Sequence, residues 1–404
     1  MSSVPSDPLP AGAADAPHYD PFDYAHHDDP YPVYRRLRDE APAYYNERYG
    51  FWALSRYADC FAAARNYRVY SSAQGTTLEP LKGQLPLLIN SDPPDHSRLR
   101  HLADRLFTRS AVAPLEQAIR SLARELLASH LAAGRIDVIA DFAARLPMAV
   151  LCRLLGVPKR DEDMLRGWTD TVVHRDEGVF EMPEAGFEAT LRIFGYYEDD
   201  LRRRAGLPAQ ADVIASFIEA EAKGRLSHEE LLGYLYLLSI AGNETTTKLI
   251  GNIVCQLHRH PDQRRLVLDD RALAPQVVEE TMRFDGPTQM MARTTTEDVA
   301  LHGRTIPAGS KVALLFISAN RDERKFDRAE VYDIRRNARD HLGFGAGAHA
   351  CLGAPLARLE ARVALEELLA AAPDFTVEEA GLERMHSPQV RGYTRVPLRF
   401  TWRR

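Results

Sequence analysis

The 404-residue chain lacks most of the features that would assign it to a simple class. Its four cysteines, Cys60, Cys152, Cys255 and Cys351, are widely separated and form no CxxC pair. That excludes a disulfide framework and a zinc ribbon, and it fits a chain kept in a reducing cytoplasm. No charge of one sign accumulates. The 51 basic and 57 acidic residues leave a net charge of −6, too small and too mixed for a nucleic-acid or anionic-membrane surface. Long hydrophobic runs are missing too: the longest, Leu231 to Gly242, is broken by Ser239 and falls well short of the roughly 20 residues that span a bilayer. There are no repeats and no low-complexity linkers, so no domain boundary is visible. Met1 to Tyr24 is rich in Pro, Asp and Ala, with neither a basic start nor an apolar core, and reads as a loose arm instead of a signal or membrane anchor. The expectation is a flexible arm over residues 1–19 and a single domain over residues 20–404.

What is present is mostly helical patterning, with strand-like pieces near both ends. At 45% hydrophobic, the chain can bury a large core. Gly50 to Arg56 alternates as a strand, Val299 to Phe316 reads as strand–turn–strand, and Val396 to Trp402 alternates around Pro397, which predicts an edge strand. Helices are predicted at Tyr31–Asp39, Tyr57–Asn66, Pro114–Ala133, Leu146–Leu155, Asp163–Arg175, Glu184–Arg204 and, longest, Ser227–His260. Ser227 and Glu230 supply a capping box for that last helix, and Pro261 its stop.

Near the C-terminus, three glycines and an aromatic surround one cysteine in Phe344-Gly-Ala-Gly-Ala-His-Ala-Cys351-Leu-Gly353, and a helical pattern follows from about Ala354 to Ala372. Glycine allows tight turns and close backbone approach to a flat ligand. Unpaired N–H groups and the dipole at the helix start favour a thiolate on Cys351, the form that binds iron. The competing reading is a buried, inert cysteine.

The pattern Phe-Gly-x-Gly-x-His-x-Cys-x-Gly resembles the haem-binding loop of the cytochrome P450 monooxygenases, complete at every position, and the likeness runs from about Asp20 to the last strand. It implies a mainly α fold with small β-sheets, in which a long central helix covers a haem and the Cys loop lies on the opposite face. Cys351 would be the axial thiolate ligand of haem b (iron protoporphyrin IX), within a loop that includes Phe344, Gly345, His349 and Gly353. Such ligation favours O–O cleavage.

Other stretches extend the resemblance. Two prolines start a helix at Asp95, placing His96 and Arg100 one turn apart. The family reading makes both of them, and Arg293, donors to haem propionates; the plain reading of the first two is a solvated helix face. Ala241 to Thr247 carries Gly242 and three threonines in mid-helix, a weak point for backbone hydrogen bonding. The resemblance makes Glu244 the acid and Thr245 the alcohol of a proton relay to O2. Glu280 and Arg283 match a structural Glu-x-x-Arg pair. The substrate pocket would draw on Leu85, Leu87, Leu88, Ile89, Leu237, Ile240, Ala241, Thr288, Gln289, Met290, Met291 and Val390, an uncharged set that points to a lipophilic molecule. Electrons would come from a separate acidic ferredoxin and its reductase, docking on basic residues gathered in sequence around the Cys loop: Arg321, Arg324, Lys325, Arg335, Arg336, Arg339, Arg358 and Arg362. A monomer acting in the cytoplasm is expected. The rival readings are an H2O2-driven peroxygenase and a haem protein that only binds or senses a gas or lipid; an intact Glu244–Thr245 pair counts against both.

Overall fold

A completed capping box starts the helix around which the other elements are arranged. The Ser227 hydroxyl accepts from Glu230 N–H while the Glu230 carboxylate accepts from Ser227 N–H. In the computed structural model, which describes residues 16–79, 86–205 and 212–401, this helix runs 32 residues, His228–Arg259. At about 1.5 Å per residue it is about 48 Å long. Every residue from Asn243 to Leu257 is buried except Thr245. A helix enclosed on all sides belongs in the interior of a large domain, and here its buried polar residues, among them Asn243, Glu244, Lys248, Asn252 and Gln256, are enclosed with it.

The helices needed below are α1 (Tyr57–Arg65), α2 (Asp95–Asp104), α3 (Glu116–Leu131), α4 (Arg145–Leu155), α5 (Glu162–Val173), α6 (Glu184–Arg204), α7 (His228–Arg259), α8 (Ala274–Asp285) and α9 (Ala354–Ala371). Helices α4, α5, α6, α8 and α9 all pack on α7. Its C-terminal half enters one core with Val363, Leu365, Leu368 and Phe375, and its N-terminal half another with Leu165, Ile193 and Phe217. The mainly α architecture matches the sequence expectation, and most helix ends fall within two residues of it. No helix among the described residues is long and apolar enough to cross a membrane.

The strands are short. A five-stranded sheet has the order β1-β2-β8-β5-β3, from β1 (Ala43–Asn46), β2 (Phe51–Leu54), β3 (Tyr70–Ser71), β5 (Met290–Thr295) and β8 (Lys311–Leu315). The Val299–Phe316 stretch thus splits: β6 (Val299–Leu301) and β7 (Arg304–Ile306) form their own hairpin, and β8 joins the large sheet in parallel to β2. A second sheet corrects the sequence reading. β12 (Pro397–Arg399) lies between β4 (Arg135–Asp137) and β9 (Thr376–Val377), so the Pro397 strand is central. Proline is tolerated because it is the first residue of the strand, where its missing N–H leaves the ladder intact. Its carbonyl still accepts from Glu378 N–H at 2.9 Å. At the N-terminus Tyr19 is already buried against Tyr34, Tyr44 and Phe51, so the packed chain reaches into the arm expected over residues 1–19. Residues 1–15 lie outside the described residues.

Candidate active site

Local geometry makes the Cys loop a rigid cup. Cys351 N–H donates to Phe344 C=O at 2.8 Å, closing the loop on itself. Gly347 has φ +71°, and a Cβ there would stand 2.7 Å from the Ala64 carbonyl and 2.8 Å from Arg65 Cα. Only glycine lets the end of α1 press this close. Arg100 donates to the Ala350 and Ala348 carbonyls at 2.6 and 3.4 Å, and to Asp104 at 2.8 Å. On the other side Arg358 lies 4.3 Å over the Phe344 ring and is bidentate to Glu279, which also meets His341 at 3.2 Å. Burial pushes the Glu279 carboxyl up, but His341 and Arg358 hold it down to about 2, so this clamp stays ionised.

Of the four cysteines only Cys351 is exposed, and its sulfur opens into a cavity at the start of α9. Burial pushes its thiol up, opposed by the N–H groups of Gly353 and Ala354 and by Arg100 and Arg358. The helix-end effect expected from sequence is therefore present but outweighed, and a cation at the sulfur would tip the group to thiolate.

The cavity, about 230 Å³, lies between α7 and the Cys loop. From α7 it is lined by Leu237, Leu238, Ala241, Gly242, Thr245 and Leu249, one face at helical spacing; from below, by Phe344, Gly345, His349, Cys351, Gly353 and Leu356. Thr245 Oγ1 donates back to the Ala241 carbonyl at 3.0 Å. At one end stand His96, Arg100 and Arg293. His96 is buried with neither ring nitrogen hydrogen-bonded, and His349 Nε2 is also without a partner, the two rings 4.3 Å apart. Arg293, likewise buried, donates only to the Ala292 carbonyl; burial pushes it down to about 10. Burial and then the charges of Arg293, His96 and Arg100 push His349 down to about 3. His96, His349 and Arg293, crowded together with unfilled donor positions, fit a dianionic ligand edge, as the two propionates of a haem provide, while Arg100, expected among those donors, spends its guanidinium on the Ala350 and Ala348 carbonyls and Asp104. A lone thiol facing the cavity likewise fits an iron whose other ligands come from a macrocycle, and no cluster of three or more His, Cys, Asp or Glu able to hold a metal occurs among the described residues.

Glu244 is placed differently from Thr245. It is buried beside the cavity but not on its wall, 3.3 Å from Lys248 Nζ, facing Asp170 on α5. Of the expected pocket residues, Leu88, Ile89, Leu237, Ala241, Thr288 and Met291 line the cavity. Strand alternation explains part of the rest. On β5, Met291 and Arg293 face the cavity while Met290 and Ala292 face the opposite core with Tyr34 and Leu37. Gln289 is turned to the Ser387 carbonyl at 2.7 Å, Leu87 packs on Gly233 of α7, and Ile240 packs among the residues between α5 and α6. Val390 bridges Thr288 through its backbone without lining the cavity, and Leu85 lies outside the described residues. The sequence reading missed Thr76, Phe107, Leu151 and Leu249 on the wall, and Glu360, an acid on α9 that burial pushes up to about 8. It also missed Asp170. None of these carries a local motif.

The basic cluster is largely neutralised. Arg321 pairs with Glu330, Arg324 with Asp39 and Asp322, Lys325 with Asp340, and Arg336 with Glu280. Arg358 pairs with Glu279, and Arg362 with Glu116 and Glu366. Arg335 and Arg339 are exposed and unpaired among the described residues, as are Arg65, Arg105 and Arg109 on neighbouring segments.

Residues 179–387 match the family model described as Cytochrome P450. The chain is 42% identical to a Mycobacterium tuberculosis protein provisionally named cytochrome P450 123, over 94% of this chain and 96% of the relative. It is 38% identical to the vitamin D(3) 25-hydroxylase of Pseudonocardia autotrophica, over 92% of this chain and 93% of that one. A Bacillus megaterium P450 crystallised with testosterone shares the fold with a TM-score of 0.86 at 30% identity, covering 93% of this chain and 98% of the other. With similarity over nearly the whole length and a thiol cup facing a glycine-marked helix across the cavity, the chain belongs to the cytochrome P450 family, whose members are haem-iron monooxygenases.

Proposed function

We propose that this P450 inserts one oxygen atom of O2 into a lipophilic small molecule, by hydroxylation or epoxidation, using haem b and electrons from a separate acidic ferredoxin and its reductase. The observation that carries this reading is the cavity wall opposite Cys351: apolar at Leu88, Ile89, Leu237, Ala241 and Met291, with Thr245 and Thr246 as the polar residues on the face of α7. When bound, the haem supplies the O2 chemistry. His96, His349 and Arg293 would hold its propionates, Cys351 its iron, and Phe344 with the loop glycines its lower face. Thr245 positions a proton at the oxygen site, and Glu244 stores one behind it. The apolar wall excludes bulk water and holds the substrate. The names of the similar proteins, a vitamin D(3) hydroxylase and a P450 bound to testosterone, support a lipophilic substrate. The protein would act as a monomer in the cytoplasm. The test is a panel of lipophilic compounds screened for a spin-state shift of the ferric protein, followed by product analysis with NAD(P)H and a ferredoxin system. Turnover with H2O2 alone, or binding without turnover, would replace the reading with a peroxygenase or a sensor.

Thr245→Ala is expected to keep substrate binding and first reduction while product per NAD(P)H drops severalfold and H2O2 rises. Thr246 also lines the cavity, whereas Thr247 is turned away to the Ala143 carbonyl at 3.1 Å. The comparison is therefore between Thr245→Ala and Thr246→Ala. If Thr246→Ala uncouples and Thr245→Ala does not, the oxygen site is one residue further along α7.

The docking face is expected to work through its unpaired charges. Raising salt should slow reduction by ferredoxin, since exposed charges are screened beyond about 8–10 Å near physiological ionic strength. Charge reversal at Arg335 and Arg339 should raise the KM for ferredoxin several-fold and leave the substrate-induced spin shift unchanged. Reduction kinetics independent of salt would remove the idea of an acidic partner.

A further inference from the structure

A second carboxyl stands behind the acid of α7. Asp170 on α5 faces Glu244, carboxyl toward carboxyl. Their surroundings differ sharply. Glu244 is 2% exposed, while the Asp170 side chain is 45% exposed and opens to solvent. Two cations flank the pair: Lys248 Nζ is 3.3 Å from Glu244 Oε2, and Arg166 Nη1 is 3.7 Å from Asp170 Oδ2. Asn243 braces it from α7, donating to Glu244 Oε1 at 3.4 Å and to Thr169 Oγ1 of α5 at 3.3 Å. Apart from the Lys248 ammonium, no donor group meets the buried Glu244 Oε2 among the described residues. It is a buried acceptor one residue from the Thr245 hydroxyl, which itself lines the cavity.

We propose that Asp170 is the solvent-side half of a two-carboxyl proton relay, taking protons from water and passing them to Glu244 for delivery toward Thr245. The proposal rests on the monooxygenase reading and adds to it the point at which protons enter. Two carboxyls in hydrogen-bond reach cannot both ionise freely, so they share one proton. At rest that proton sits on Asp170, whose O–H is donated to the Glu244 carboxylate. In the transfer the Asp170 O–H bond breaks as a Glu244 O–H bond forms. Asp170 is left ionised and regains a proton from solvent; no electrons move, and one proton has been carried inward. Although Asp170 is half-exposed, its partial burial first, and then the Glu244 carboxylate, push it up to about 8 against the pull of Lys248 and Arg166. Arg166 and Lys248 also hold Glu244 on the ionised side. The relay is therefore loaded below about pH 8 and empties above it. Lys248 keeps Glu244 turned toward Asp170 between transfers.

The holoenzyme tests this directly with Asp170→Asn, Asp170→Glu and Glu244→Gln. Infrared spectra across pH should show in the wild type a protonated-carboxyl band that titrates near pH 8 and is missing in Asp170→Asn. With substrate and reductant, Asp170→Asn should turn over at least about tenfold more slowly, with a larger solvent deuterium isotope effect and no inflection near pH 8. Haem content, the substrate spin shift and first reduction should stay at wild-type values. Asp170→Glu should restore both rate and pH profile, which a merely structural role for Asp170 would not require. Wild-type rate and isotope effect in Asp170→Asn, or a carboxyl band that survives the substitution, would overturn the relay. If no variant oxidises any substrate while the band still behaves as described, the monooxygenase reading fails and the carboxyl pair stands.

Discussion

Cys351→Ala is expected to give a folded protein that retains haem weakly and oxidises no substrate, whereas the reduced, CO-bound wild type should show the strongly red-shifted Soret band of haem-thiolate proteins. The other three thiols cannot take over. Cys60 donates to the Leu54 carbonyl at 3.1 Å, Cys152 rests 3.6 Å from Met148 sulfur, and Cys255, on α7 itself, is buried in the core. Burial pushes Cys152 and Cys255 up to about 12, so they remain thiols at any working pH. Alanine at positions 60, 152 or 255 should therefore leave the CO spectrum and the turnover intact. At 351 it removes the one thiol that opens to the cavity among the described residues, while Arg100, Arg358 and the loop glycines keep the cup in shape. The measurement is the CO difference spectrum of freshly purified protein for all four variants. A globin-like band in the wild type would overturn the assignment of Cys351.

Glu280→Ala or Arg283→Ala should give mostly apo or insoluble protein. Both side chains are fully buried, and Arg283 spends its donors on Glu280 at 2.8 and 2.7 Å and on the carbonyls of Asn320, Ala329 and Val331. Glu280 also accepts from Asp333 N–H at 2.9 Å. Surface decoration is excluded by this burial. Removing one partner strands the other charge, at a cost of about 3–5 kcal/mol. That is a large part of the roughly 5–15 kcal/mol that holds a domain folded. The damage should reach the cofactor by a short path. Asn320, held by Arg283, accepts from Leu342 N–H at 2.6 Å, and Leu342 leads into the Cys loop. Arg283→Lys should not rescue, because a single ammonium cannot serve a carboxylate and three carbonyls in that fork. Haem content per chain and thermal unfolding decide the matter; soluble, fully loaded variants would show the pair to be dispensable.

The parts of the site legible in sequence were those with local grammar. The Cys loop could be read because turn glycines, an aromatic and a helix start must be close in sequence to form a cup. The ends of α7 could be read because a capping box and a proline are themselves sequence signals. Pocket membership was harder. On β5 the difference between Met290 and Met291 is one residue of register, and nothing local says which face meets the cavity. The basic cluster misled for a related reason: Arg358 and Arg362 are neutralised by Glu279 and Glu116, residues distant in sequence. Pro397 was read by a rule about strand interiors, but it occupies a strand start. Asp170 has no motif at all, since its partner lies 74 residues away on a crossing helix and only the fold brings them together.

The burial of α7 from Asn243 to Leu257 also bears on how this enzyme could change over time. Among those fifteen positions only the Thr245 side chain is not enclosed by neighbouring helices and sheets. A substitution anywhere else along the stretch must be absorbed by the packing of several elements at once. Altered substrate range is therefore far easier to reach through Ile89, Thr288 and Met291, which line the cavity and are only partly buried. The central helix behaves as the invariant frame of the molecule, and the rim as the place where its chemistry can be rewritten.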